Sequence, residues 1–230
     1  GTSAGGTTIP VLLALRADST SINNGGSFIN SGTIDFSGST GAVSMFYDRA
    51  TSGGSYTAGT QTSNGSWAAP SNATLSSQFT AYQLVNNSTD MAAISGGLAA
   101  NYALGQNIAG GGATFNGSSP LGAFSGILDG QYCALASGTK CGFTGFVFTP
   151  TAATDAVGMF TTNSGRIRNM TFGMDVTQSA TSTSTGVNKG TLAALNSGTI
   201  ANLTSTSAMD YTYSGTGSAK VFRVGGVVGE

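Results

Sequence analysis

The sequence of 230 residues predicts an all-β protein, a solenoid in which short strands stack coil upon coil, and three observations carry that expectation. The first is composition. Charged residues make up 7% of the chain, against about 25% in an ordinary globular domain, while Gly numbers 36 and Ser and Thr together number 62. A surface of hydroxyls, amides and glycine is poor helix material, whereas Thr and Val suit strands and Gly and Asn suit turns. With 39% hydrophobic residues, a net charge of −1 and a mean hydropathy of +0.10, the chain has a core to bury and lacks the high net charge of disordered segments.

The second observation is a repeat. Asn163-Ser164-Gly165-Arg166-Ile167-Arg168-Asn169-Met170-Thr171 aligns with Asn196-Ser197-Gly198-Thr199-Ile200-Ala201-Asn202-Leu203-Thr204, 33 positions later, and Asn30-Ser31-Gly32-Thr33-Ile34 is a partial third copy. A fixed period of this size marks a solenoid, because one repeat cannot bury its apolar face alone. The third observation is alternation. Ile167-x-Asn169-x-Thr171 against Arg168-x-Met170-x-Phe172 has the period of two expected of a strand. The NSG tripeptide before it reads as a tight turn in which Asn or Gly takes a positive φ. Asn163 and Asn196 are placed to form an amide ladder at a corner, and Asn169 and Asn202 to serve the repeat turns or a second ladder.

Along the chain, residues 1–49 read as short strands of the coils, among them Ser27-Phe28-Ile29 and Ala42 to Tyr47. Residues 50–80 read as an excursion or cap outside the solenoid and hold the only Trp, Trp67. Residues 81–230 resume the coils and run into the repeats from about 151. One helix is expected near 89–95, where Ser88-Thr89-Asp90 caps Met91-Ala92-Ala93-Ile94 and Gly96-Gly97 ends it. One continuous solenoid accommodates all of these.

Several function classes find no support. Eight Lys and Arg, scattered along the chain, supply no basic patch for nucleic acid. No apolar run approaches the roughly 20 residues of a membrane-spanning helix. Gly1 to Thr8 has no cationic start of a signal peptide, so a mature or excised fragment is expected. The chain has no His, which removes Ser-His and Cys-His catalysis, and no metal or other cofactor site is expected. The eight Asp are dispersed; Asp175 with Arg166 and Arg168 is the one cluster to inspect, and a solvated strand face is its simpler reading. No catalytic residue is assigned, and the glycine strings lack the Lys of a phosphate loop.

The two cysteines, Cys133 and Cys141, lie in YCALASGTKC without metal-ligand spacing. A local disulfide and an oxidising compartment are the reading, with two free thiols as the alternative. Sequons occur at Asn64, Asn72, Asn86, Asn87, Asn116, Asn169 and Asn202, each a candidate N-glycosylation site. Trp67, Tyr56 and Tyr82 are candidate glycan contacts, since aromatic faces stack on sugar rings; the simpler reading is that they cover the core.

Leu13-Ala14-Leu15-Arg16-Ala17-Asp18, GGSFINSGTIDFSG and Val43 to Asp48 resemble the coils of two-partner-secretion exoproteins, the filamentous haemagglutinin and high-molecular-weight adhesin group. AYQLVNNSTDMAAISGGLAANYALGQNI with FSGILDGQ is similar to the segment preceding GLUG repeats in those adhesins, and VGMFTTNSGRIRNMTF, LAALNSGTIANLT and VGGVVGE resemble the repeats themselves. The likeness covers residues 10–49 and 80–230. It implies a right-handed parallel β-helix, exported through an outer-membrane transporter and displayed on a bacterial cell surface as a fibre that attaches to a host or matrix glycan or receptor. Two departures stand out: the amino-terminal secretion domain of the group is absent, and a cysteine-bearing insertion, Tyr132 to Gly142, interrupts the pattern. The alternative reading is a β-helical polysaccharide-degrading enzyme, a lyase or hydrolase, which requires carboxylates from adjacent coils to converge.

Overall fold

The structure, a computed structural model, describes residues 12–18, 24–37, 41–49, 53–62, 78–130, 140–150, 156–180, 186–213 and 221–230. The chain divides into two compact units, residues 1–84 and 85–230. The fold is all-β with one short helix, and every pairing between described strands is parallel. Parallel strands cannot be joined by hairpins, so each connection crosses over before its strand pairs.

In the first unit, β1 (Leu12–Arg16) pairs with β4 (Ala42–Tyr47) from Leu12↔Ala42 to Arg16↔Phe46, and β4 pairs with β7 (Phe79–Val85). Two shorter parallel pairs lie beside them. β2 (Phe28–Ile29) pairs with β5 (Tyr56–Thr57), and β3 (Thr33–Asp35) pairs with β6 (Thr60–Thr62). The core is aromatic: Phe46 stacks on Tyr82 at 5.2 Å, and Phe36 meets Phe79 edge-on at 5.8 Å. Residues 56–62 correct one expectation. The sequence assigns them to an excursion because TSGGSYTAGT has no apolar alternation, yet Tyr56 and Thr57 stack on Phe28 and Ile29, and residues 60–62 on 33–35. Residues 63–77 lie outside the described residues.

The second unit opens with the helix, α1 (Ser88–Ala92), extended by a 3-10 turn over Ala93–Gly96. The cap lies one residue earlier than expected: Asn87 Oδ1 accepts from the Asp90 amide at 2.9 Å, and Asp90 Oδ2 accepts from the Asn86 amide at 3.0 Å. Three stacks of strands follow. The largest contains β8 (Asn101–Leu104), β11 (Ile127–Asp129), β15 (Arg166–Ala180) and β18 (Thr199–Ser205), in register as Asn101↔Ile127↔Arg166↔Thr199. β9 (Ile108–Ala109), β12 (Cys141–Phe148) and β19 (Met209–Tyr213) join it through the later part of β15. A second stack is β10 (Ala123–Phe124), β14 (Phe160–Asn163) and β17 (Ala193–Asn196). The third is β13 (Ala156–Val157), β16 (Gly186–Lys189) and β20 (Val221–Val224).

Each stack thus takes one strand from each successive stretch of chain, and the inward side chains stack like on like. Phe124 lies on Phe160 at 4.8 Å and Phe143 on Phe172 at 6.3 Å. Leu128 and Ile167, fully buried, sit in register with Ile200. The expected strand alternation holds on either side of Asn169 and breaks at it. Ile167 is buried, and the buried series then resumes at Met170, Phe172, Met174 and Val176, because Asn169 has a left-handed φ of 56° that bends β15 into two limbs. The NSG turn is also corrected. Gly165 and Gly198 do not have positive φ; they are glycine because a Cβ on Gly198 would overlap the Gly165 carbonyl, and one on Gly165 the Gly126 carbonyl. Close stacking, and not turn geometry, requires them.

Candidate functional site

The bend in β15 carries a polar ladder. Asp129, Asn169 and Asn202 follow the strand registers Asp129↔Arg168↔Ala201 by at most one residue, so three neighbouring strands bring their side chains to one corner. Asn202 Nδ2 donates to Asn169 Oδ1 at 2.8 Å, and Asn169 Nδ2 donates to Asp129 Oδ1 at 3.1 Å. Arg168 Nε donates to the other carboxylate oxygen, Asp129 Oδ2, at 2.7 Å, with side-chain exposures of 5% and 0%. Lys140 Nζ caps the outer end on Asn202 Oδ1 at 2.5 Å. Both asparagines are left-handed, at φ 56° and 51°, a conformation their short side chains tolerate better than most. A second ladder joins Asn163 Nδ2 to Asn196 Oδ1 at 2.6 Å, as the repeat alignment implied.

Chemically, this corner is a fastener. Every step is a donor–acceptor pair, and the one buried carboxylate is held by a guanidinium and an amide. Of the group Asp175, Arg166 and Arg168, Arg168 is buried and pairs with Asp129, while Asp175 is exposed and its Oδ1 accepts from the Ala208 amide at 2.8 Å. Sequence reasoning missed Asp129 because it lies 39 residues before its partner, in FSGILDGQ, where no local charge announces it.

The remaining candidates scatter. Among the sequons, Asn86 and Asn169 are buried at 3% and 4% exposure, which closes both to any transferase acting on the folded chain. Asn87 is exposed at the helix cap, Asn116 donates its amide to the Ser119 carbonyl at 2.8 Å, and Asn202 is exposed with its amide in the ladder. Asn64 and Asn72 lie outside the described residues, as do Trp67 and Cys133. Tyr82 has no exposed surface and stacks within the core, so of its two readings it is a core residue and not a glycan contact. Tyr56 is half-buried beside Tyr47, with ring centroids 6.4 Å apart and planes tilted by 36°. Tyr47 shares a hydrogen bond with Gln83, its in-register neighbour, and burial raises the pKa of both tyrosines, so their hydroxyls stay protonated at physiological pH. Cys141 is fully buried and disulfide-bonded, with its sulfur 3.5 Å from the Leu104 carbonyl.

Two carboxyls that sequence reasoning left dispersed do meet. Asp18 and Asp48 follow the paired strands β1 and β4 at matching positions, and both are fully buried. They are the stacked acids that a polysaccharide-degrading enzyme would use, but they are enclosed, where no glycosidic bond reaches them. Among the described residues, no group of three or more His, Cys, Asp or Glu is arranged to hold a metal ion, and no helix is long and apolar enough to cross a membrane.

Fold and ladder together define an all-β protein of parallel, in-register strands fastened by side-chain ladders. No family model, no curated protein and no solved structure matches the chain.

Proposed function

We propose that the chain is a right-handed parallel β-helix serving as a scaffold segment of a secreted bacterial surface adhesin, exported through an outer-membrane transporter, with glycan or receptor attachment on its flank. One observation carries the reading: Arg166 to Phe172 pairs with Thr199 to Ser205 in parallel, while the ladder asparagines repeat at the 33-residue offset of the sequence. A chain that repeats its own corner chemistry extends by adding coils, which is what a fibre requires. The half-buried pair Tyr47 and Tyr56, with the Gln83 amide alongside, supplies the contact surface: two ring faces for a sugar and neutral hydrogen-bonding groups at their rim.

The test is binding of the whole chain to a panel of immobilised neutral glycans and to intact host cells. Retention that Tyr47→Ala and Tyr56→Ala each weaken at least several-fold, with the strand content unchanged, supports attachment through this face. Hydrolysis or eliminative cleavage of a panel glycan would replace the reading with the enzymatic one.

A further inference from the structure

Resting on the attachment reading proposed above, we infer that the face formed by Tyr47 and Tyr56 takes a single soluble chain of uncharged sugars, two consecutive units of which stack one on each ring. Backbone packing fixes the pair. β4 ends at Tyr47, and the next residue, Asp48, donates its amide to the Gly26 carbonyl at 2.9 Å. Asp48 Oδ2 in turn accepts from the Gly25 and Gly26 amides at 2.7 and 2.8 Å. Gly54 fits against this crossing because it has no side chain: a Cβ there would overlap the Gly26 carbonyl and lie 2.6 Å from the Asp48 Cβ. Two residues further on, Tyr56 pairs in register with Phe28, and its ring meets that of Tyr47. The rings are thus set before any ligand arrives, which spares part of the ordering cost of binding.

Geometry sets the form of the ligand. The ring centroids are 6.4 Å apart, within the range of about 4.5–7 Å over which paired rings touch, so the two make one continuous surface. Their planes are tilted by 36°, so that surface is bent. A flat crystalline polysaccharide lies on only one of two tilted rings, whereas a free chain twists between neighbouring units and follows both. A pyranose turns a face of C–H groups to an aromatic ring and its hydroxyls to the side. Gln83, half-buried and in register with Tyr47 on the adjacent strand, places an amide where such hydroxyls can bond.

Charge selects against acidic glycans. A carboxylate or sulfate on a sugar calls for a cation, above all the fork of an Arg. Residues 1–84 contain two cations, Arg16 and Arg49, and three anions, Asp18, Asp35 and Asp48. Arg49 is buried, and Arg16 is half-buried with its Nε donating to the Asp18 carbonyl. The one fully exposed member of the five is Asp35, which repels anions. Burial raises the pKa of both phenols above the ordinary value of about 10, so the rings stay uncharged up to at least about pH 9.

The test titrates the whole chain with two neutral series, glucose, cellobiose and cellotetraose, and galactose, lactose and lacto-N-tetraose. Sialyllactose and heparin serve as acidic probes, and microcrystalline cellulose as a flat one. In at least one neutral series affinity should rise about 3–10-fold from monosaccharide to disaccharide and should not change with added salt. Tyr47→Ala and Tyr56→Ala should each remove that gain with strand content intact, and Tyr56→Phe should keep it. Should Tyr47→Ala not fold, ring-proton shifts of the wild type on adding the tetrasaccharides decide: shifts at both tyrosines support the site, and shifts at one or neither overturn it. Tighter binding of sialyllactose, heparin or crystalline cellulose than of the neutral soluble chains overturns the substrate class, while attachment through this face stands if the alanine variants lose that binding. Host-cell retention that depends on both tyrosines, without binding of any glycan, also overturns the substrate class alone. A wild-type chain that holds neither glycans nor host cells overturns both readings.

Discussion

Asn202 donates its side-chain amide to Asn169 Oδ1 across 2.8 Å from a position 33 residues further along the chain, and both asparagines hold left-handed backbone. One residue type thus meets two demands at the corner: it tolerates the bend, and it bonds to its copy on the next strand. Replacing Asn169 separates the two. Asn169→Gly keeps the bend but removes a donor from buried Asp129, for an expected loss of about 1–3 kcal/mol, and Asn169→Ala adds about 1–2 kcal/mol for a left-handed alanine. Urea unfolding of the two variants should rank them in that order.

Asp129 is the ladder's anchor, and its removal strands a buried guanidinium. Asp129→Ala should cost about 3–5 kcal/mol, whereas Asp129→Leu combined with Arg168→Met should return a large part of that loss, because the desolvation penalty disappears with the charges. A double-mutant cycle on unfolding free energies checks this; equal losses in the single and double variants would contradict it.

Glycines in this chain serve two different ends. At Gly165 an added Cβ would overlap the Gly126 carbonyl, so Gly165→Ala should force the strands apart and cost about 1–3 kcal/mol or more. At Gly112, with φ of 86° and open space around it, Gly112→Ala should cost only the backbone conformation, about 1–2 kcal/mol. Thermal midpoints should fall further for Gly165→Ala.

Cys141 is disulfide-bonded, and Cys133 is the other cysteine of the chain. Alkylation of the unfolded, unreduced protein should therefore add no mass, and alkylation after reduction should mark both cysteines. An adduct without reductant would return the free-thiol alternative.

Much of this architecture is legible in the sequence because it is repeated there. NSGRIRNMT and NSGTIANLT give the stacking offset, and Asn163 and Asn196 give one ladder, since identical residues at a fixed period must meet if the coils stack. The short helix is legible in the sequence, although its cap, Asn87, lies one residue before the Ser88 expected there. What stays hidden is pairing without repetition. Asp129 lies outside the repeat it anchors, and Asp18 and Asp48 are joined by strands whose register depends on Leu12↔Ala42 and not on any shared motif. Tyr56 and Thr57 escape because so short a strand shows no period. Tyr82 stays open between sugar contact and core cover in the sequence, because an aromatic beside a polar stretch declares neither until its strand is paired.

The central claim is that successive stretches of chain lie parallel, in register, one repeat apart. Nuclear Overhauser contacts between the Ile167 and Ile200 side chains, and between the Arg166–Phe172 and Thr199–Ser205 backbones, test it directly in the whole chain. Parallel contacts throughout that register, with Leu128 on the other side of Ile167, are the expected result. An antiparallel pattern, a slipped register or the absence of contacts between these segments would contradict the account.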